Sequence, residues 1–265
     1  MECLQASSRP LIMGVLNITP DSFSDGGKYI EVDAAVAHAL TMIEQGVDII
    51  DIGGQSSHPN ASPISADEEL SRVMPVIKRL RQISSTPLSI DTDKAQVMHE
   101  ALSAGVTMVN DVTALSDSQA YDVCKNFDVP VCVMHSRPYE NSDIIEDCLA
   151  FFEEKITRCV KQGVSRERLI LDPGFGFNKS VAQNLSIIKR LGELLVFDLP
   201  LLIGVSRKGS ISKISGCDKS DRLWGSLALN CLAYEKGVNL FRVHDVKETV
   251  LVLKTVKAVI GLEKS

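Results

Sequence analysis

The sequence has no basic excess. Lys and Arg number 28 against 34 Asp and Glu, a net charge of −6. An acidic surface disfavours nucleic acid or an anionic membrane as partner, since either needs a basic face. There is no CxxC pair and no Cys/His metal spacing: the seven cysteines, an odd number, are scattered at Cys3, Cys124, Cys132, Cys148, Cys159, Cys217 and Cys231. Such thiols are expected to be reduced, as in a cytoplasm. The start, MECLQASSRP, lacks an apolar signal-peptide core. No apolar run approaches the roughly 18 residues that cross a bilayer. No HExxH occurs, and no linker or charge block divides the chain.

What is present fits one barrel-sized domain over residues 1–265, with 45 % apolar and 23 % charged residues. Short apolar runs lie at Leu11–Leu16, Asp48–Ile52, Pro87–Ile90, Thr107–Val109, Val129–Met134, Leu169–Leu171, Pro200–Val205 and Asn239–Val243. Between and after them lie amphipathic stretches: Val32–Gln45, Ala66–Ile83, Lys94–Ala104, Gln119–Phe127, Ile144–Gln162, Val181–Glu193, Asp221–Lys236 and Val246–Ile260. Continuous apolar strands are covered on both faces. Gly46, Gly105, Gly163 and Gly237 stand where helices should close. This alternation predicts a parallel (β/α)8 barrel. An open doubly wound sheet would more often show GxGxxG after its first strand, and none is there. The long connections Asn17–Glu31 and Gly53–Ser65 are expected to be functional.

Barrel chemistry sits at the C-terminal ends of strands. The eight runs end at Asn17, Asp51, Asp91, Asn110-Asp111, His135, Asp172, Ser206-Arg207-Lys208 and Arg242 with His244-Asp245. Any one of these could simply cap a helix; polar groups at every end point to a site. Asp91, Asn110, Asp172 and Lys208 offer acceptors, an amide and a cation. An amino-oxo-pyrimidine ring presents the complement, adjacent N–H donors and a carbonyl. Positive charge for a phosphorylated ligand is expected from Lys208, Arg242 and a protonated His244. Asn17 with Asp25, near such a ligand, could hold Mg2+.

Eight segments resemble dihydropteroate synthases, in that family's order: Gly14–Gly27, Asp51–Pro59, Ser89–Val97, Asn110–Val112, Met134–His135, Leu171–Phe177, Gly204–Ser210 and Arg242–Thr249. The resemblance implies a (β/α)8 homodimer that joins 4-aminobenzoate to 6-hydroxymethyl-7,8-dihydropterin diphosphate for folate synthesis, with sulfonamides as competitors. Carried over by motif, Asp91, Asn110, Asp172 and Lys208 would hold the pterin. Asn17, His58, Arg242 and His244 would hold the diphosphate, with Mg2+ on Asn17. Phe23, Ser57, Pro59, Phe177 and Gly209 would surround the aminobenzoate. Asn17, Lys208, Arg242 and His244 are the implied catalytic set.

The second loop departs from the family's usual GGESTRP. Gln55 replaces an acid, Ser57 a threonine and His58 an arginine, while Gly209 stands where many relatives carry serine. A neutral histidine is a poorer anion partner than arginine. Two rivals remain. A methyltetrahydrofolate methyltransferase would need no diphosphate site, so Arg242, His244 and the SRK element weigh against it. A silent pterin-binding paralogue is the other.

Overall fold

The computed structural model describes residues 9–19, 28–55, 62–138 and 143–261. Strand β1 (Leu11–Asn17) is followed by helix α1 (Lys28–Glu44), then β2 (Ile49–Gly53), α2 (Ala66–Ile83), β3 (Leu88–Asp91) and α3 (Ala95–Ser103). Next come β4 (Met108–Asp111), α4 (Ser118–Phe127), β5 (Val131–Met134), α5 (Ile144–Lys161), β6 (Leu169–Asp172) and α6 (Val181–Arg190). The chain ends with β7 (Leu202–Ile203), α7 (Gly209–Ser215), α8 (Arg222–Glu235), β8 (Leu240–Val243) and α9 (Val246–Gly261).

The eight strands form one parallel sheet in the order β6-β5-β4-β3-β2-β1-β8-β7. A parallel bridge between Leu171 and Leu201 joins the two outer strands, and the Leu171 N–H donates to the Pro200 carbonyl at 2.9 Å. The expected (β/α)8 barrel is what forms. Gly46, Gly105, Gly163 and Gly237 all take positive φ where their helices end, the left-handed turn that stops a helix. Two details differ from the sequence reading. The run Pro200–Val205 contributes only Leu202–Ile203 as a regular strand. The short helix α7 follows it, beginning at Gly209 where no apolar period announced one.

Side chains on a strand alternate between faces, and this decides the barrel's anatomy. The outward residues Ile50, Ile52, Leu88, Ile90, Val109, Val131, Val133 and Phe241 join the helices in one large core. A second cluster fills the barrel interior: Leu11, Met13, Ile49, Met108, Cys132, Ile170, Leu202 and Leu240. Two residues further along, the same inward face reads Asp51, Asn110, Met134, Asp172, Gly204 and Arg242. The apolar plug thus forms a floor under a ring of largely polar residues at the C-terminal mouth.

Candidate active site

Arg242 on β8 is the centre of that ring. Its Nε donates to Asp51 Oδ2 on β2 at 2.6 Å, and its Nη2 donates to Asp91 Oδ2 on β3 at 2.6 Å. Asn110 Nδ2 on β4 donates to the same Asp51 oxygen at 3.0 Å. Asp51 is fully buried, and its second oxygen has no hydrogen-bond partner among the described residues. Two carboxylates beside one guanidinium hold it charged, against the cost of burial. Burial pushes the Asp91 carboxyl up to about 7, although Arg242 pulls it down.

Asp172 ends β6. Burial pushes its carboxyl up to about 6, opposed by the Gly174 N–H, which donates to Oδ1 at 2.7 Å, and by Lys208. The turn that follows needs glycine. Gly174 has φ +68°, and a Cβ there would stand 2.1 Å from the His135 carbonyl oxygen. Lys179 Nζ donates to the carbonyls of His135, Gly174 and Phe177 at 2.7, 3.1 and 3.1 Å. Asn184 on α6 accepts from the Gly176 N–H at 2.7 Å and donates to Ser210 Oγ on α7 at 3.2 Å. This frame seats Phe177. Lys208 Nζ lies 3.9 Å from the Phe177 ring centroid, a cation–π distance. Burial and the Arg242 charge lower Lys208 to about 8, with Asp172 and Asp91 pulling the other way.

Asn110, Asp172, Phe177, Lys208 and Arg242 line one narrow cleft, walled by Val112, Met134 and Phe175. Apolar walls with donors and acceptors at the edge suit a flat, hydrogen-bonding heterocycle. A larger hollow of about 580 Å³ lies at the opposite end of the barrel, beside Pro200 and Asn239, and contains none of these groups.

Of the residues singled out from sequence, Asn17, Asp91, Asn110, Asp172, Lys208 and Arg242 all stand at strand ends or the turns that follow. Asn17 is exposed, with its Oδ1 beside Gly53 and near Asp91. Gly209 opens α7. Phe23, Asp25, Ser57, His58 and Pro59 lie outside the described residues.

Three sequence expectations need correction. His244 was expected to be protonated. Burial, with the charges of Arg242 and Arg207, instead lowers its pKa to about 4. Ser206 Oγ accepts the His244 backbone N–H at 3.1 Å and lies 3.0 Å from its Nδ1. Arg242 was expected as a rim cation for the ligand; it stands in the polar ring, where the carboxylates of Asp51 and Asp91 already pair it. Its neighbour in the basic cluster, Arg207, is paired with Asp245 through Nε at 3.0 Å and through Nη2.

The third concerns Asp111 and His135, the remaining polar strand ends. Both occupy outward positions, next to the inward Asn110 and Met134. Asp111 accepts from Thr113 N and Oγ1 at 2.7 and 2.8 Å and from Leu115 N at 2.8 Å, organising a turn. His135 is fully buried, with Nε2 2.7 Å from Asp147 on α5 and its ring edge-on to Phe151. Burial and Lys179 lower its pKa, against the pull of Asp147. The residue the sequence reading left out of the site is Asp51. Two-residue counting from Ile49 would have marked it as inward.

Residues 13–244 match the family described as pterin binding enzyme. The chain is 41% identical over 266 residues to the dihydropteroate synthase of Escherichia coli, with 97% of this chain and 94% of that protein covered. Dihydropteroate synthase from Xanthomonas albilineans with 4-aminobenzoic acid superposes with a TM-score of 0.92 at 44% identity, covering 95% of this chain and 93% of that one. The same enzyme in complex with 7,8-dihydropteroate gives 0.89 at 43%, covering 95% and 94%. The Yersinia pestis enzyme with a sulfonamide drug gives 0.90 at 41%, covering 96% and 95%. This chain belongs to the dihydropteroate synthase family of pterin-binding enzymes.

Proposed function

We propose that the protein condenses 4-aminobenzoate with 6-hydroxymethyl-7,8-dihydropterin diphosphate, giving 7,8-dihydropteroate and pyrophosphate in folate biosynthesis. The observation that carries this reading is the cleft edged by Asn110, Asp172 and Lys208. Asp172 accepts from adjacent ring N–H groups, and the Lys208 ammonium donates to the ring carbonyl. Asn110 gives its amide to Asp51 and keeps its carbonyl for a ring N–H. Asp91 gives one oxygen to Arg242 and keeps the other for the pterin. A ligand without these groups leaves buried polar atoms unpaired.

Arg242, His244, Asn17 and His58 take the diphosphate in this reading. The bond between the pterin methylene carbon and the diphosphate oxygen breaks with its electron pair on the leaving pyrophosphate. The electron-rich dihydropterin shares the positive charge left on carbon. The neutral arylamine then forms the C–N bond through its lone pair and loses a proton. An arylamine needs no strong base, so the protein's part is to stabilise the leaving charge and align the reactants. Phe177 and Gly209, with Phe23, Ser57 and Pro59, surround the aminobenzoate. Sulfonamides compete there, a reading supported by the drug complex of the Yersinia relative.

Magnesium is proposed on Asn17. Among the described residues no group of three or more His, Cys, Asp or Glu could hold an ion. A lone amide oxygen suits a hard cation that keeps waters and takes phosphate oxygens. Mg2+ would neutralise diphosphate charge when bound with the substrate. A homodimer is proposed through α8 and α9, where Trp224, Leu232, Leu251 and Val259 are 70%, 47%, 58% and 64% exposed. Within each helix the pair lies eight residues apart, on one face. Trp224→Glu should convert a dimer into a monomer by light scattering. A cytoplasmic location is consistent with the free thiols of Cys124, Cys132, Cys148, Cys159, Cys217 and Cys231.

The test is pyrophosphate release on incubation with both substrates and Mg2+. Release that depends on aminobenzoate and stops on chelation is expected. Pterin binding without release would favour the silent paralogue.

A further inference from the structure

Arg207 immediately precedes Lys208 of the cleft. The Lys208 N–H donates to the Val205 carbonyl at 3.3 Å and closes a four-residue turn over Val205–Lys208. Arg207 is the third residue of that turn and has φ +55°. Glycine ordinarily stands at positive φ there, because a side chain is strained in that conformation. Such strain persists only where the surroundings fix the backbone. Helix α8 supplies the fixing. Ser226 Oγ accepts the Arg207 N–H at 2.9 Å and donates its own proton to the Arg222 carbonyl at 2.7 Å. Arg222 Nη1 donates to the Arg207 carbonyl at 3.2 Å, and its Nε donates to Ser212 Oγ on α7 at 2.7 Å. Both backbone polar groups of the strained residue are therefore held from α8. Ser226 is buried, so its hydroxyl belongs to the packed face of that helix. The turn aims Lys208. That side chain lies across Gly176, where a Cβ would come 3.1 Å from Lys208 Cδ, and its Nζ is 3.9 Å from the Phe177 ring centroid. Rotation at Arg207 would swing it out of the cleft.

We propose that Ser226 is a positioning residue for Lys208: from α8 it holds Arg207 in the left-handed conformation and so keeps the Lys208 ammonium over the cleft. The consequence for pterin binding rests on the proposed function, whereas the hold on the turn does not. Arginine serves at position 207 in place of glycine because its side chain pairs with Asp245, Nε donating to Oδ2 at 3.0 Å, which ties the turn to the residue before α9.

The test uses Ser226→Ala, which removes the acceptor and leaves a good helix former in α8. Arg222→Met is a second break, at a half-buried position, and stands in should Ser226→Ala not fold. Hydrogen–deuterium exchange at the Arg207 amide needs no ligand, and about tenfold faster exchange is expected in Ser226→Ala. The Kd for 6-hydroxymethyl-7,8-dihydropterin should rise about tenfold in either variant. In a Lys208→Met background the same changes should leave Kd within about twofold, because the group they position is gone. The alkaline limb of pterin binding should also move upward from about 8. An ammonium that leaves the cleft escapes the burial and the Arg242 and Lys179 charges that lower it, and this outweighs the loss of Asp172 and Asp91 as neighbours. Parent-like exchange at Arg207 overturns the hold. Faster exchange with a parental Kd, an alkaline limb that stays in place, or equal losses of affinity with and without Lys208 overturns the positioning role. If the parent itself binds no pterin, the functional reading fails, and the exchange experiment still decides the hold.

Discussion

Replacing Lys208 with methionine removes one ammonium and keeps an unbranched chain over Gly176 and Phe177. Two consequences of opposite sign follow. A lysine whose folded pKa lies below its unfolded value costs stability wherever both states are protonated, here below about 8. That cost disappears with the charge, so the ligand-free variant should melt at or above the parent at pH 7. Pterin binding moves the other way. A hydrogen bond from a charged donor contributes about 1.5–3 kcal/mol, so affinity should fall by about 10- to 150-fold. Isothermal titration of 6-hydroxymethyl-7,8-dihydropterin from about pH 5.5 to about pH 9.5 brackets the groups involved. In the parent, affinity should rise as Asp172 ionises near about 6 and Asp91 near about 7, and fall as Lys208 deprotonates near about 8. In Lys208→Met the alkaline limb should vanish. The acid limb should shift upward, because the Lys208 charge no longer opposes the burial of Asp172. Parent-like affinity, or an alkaline limb that survives the substitution, would refute the assignment of Lys208.

Asp51→Asn should lower the unfolding free energy by about 2–3 kcal/mol, less than a fully broken buried pair because Asn still accepts from Arg242; a parent-like urea midpoint would contradict the network around Arg242. Gly174→Ala should cost about 3 kcal/mol or more, since the His135 carbonyl blocks its Cβ at positive φ; a folded variant of parental stability in the same assay excludes the turn described. For His58→Arg, KM for the pterin diphosphate should fall and lose its pH dependence between about pH 6 and about pH 8. Equal KM for both forms at every pH would sink the view that position 58 weakens diphosphate binding.

Much of this was legible in the residues themselves. The period of the apolar runs announced eight βα units, because a strand buried on both faces and a helix buried on one have different repeats. Helix α7 escaped notice because a seven-residue element beginning at Gly209 is too short to show a period. The polar strand ends marked the mouth of the barrel, and the order of the motifs pointed to the family.

What the residues alone decided was therefore the architecture, the family and the list of polar groups at one rim. The tertiary structure decided which of them act together. Arg242 meets Asp51 and Asp91 across sequence separations of 191 and 151 residues, contacts that only barrel closure creates. It also separated Asn110 from Asp111 and Met134 from His135, because neighbours on a strand face opposite sides. The neutral state of His244 and the lowered pKa of Lys208 come from burial and nearby charge, which exist only once the chain has folded.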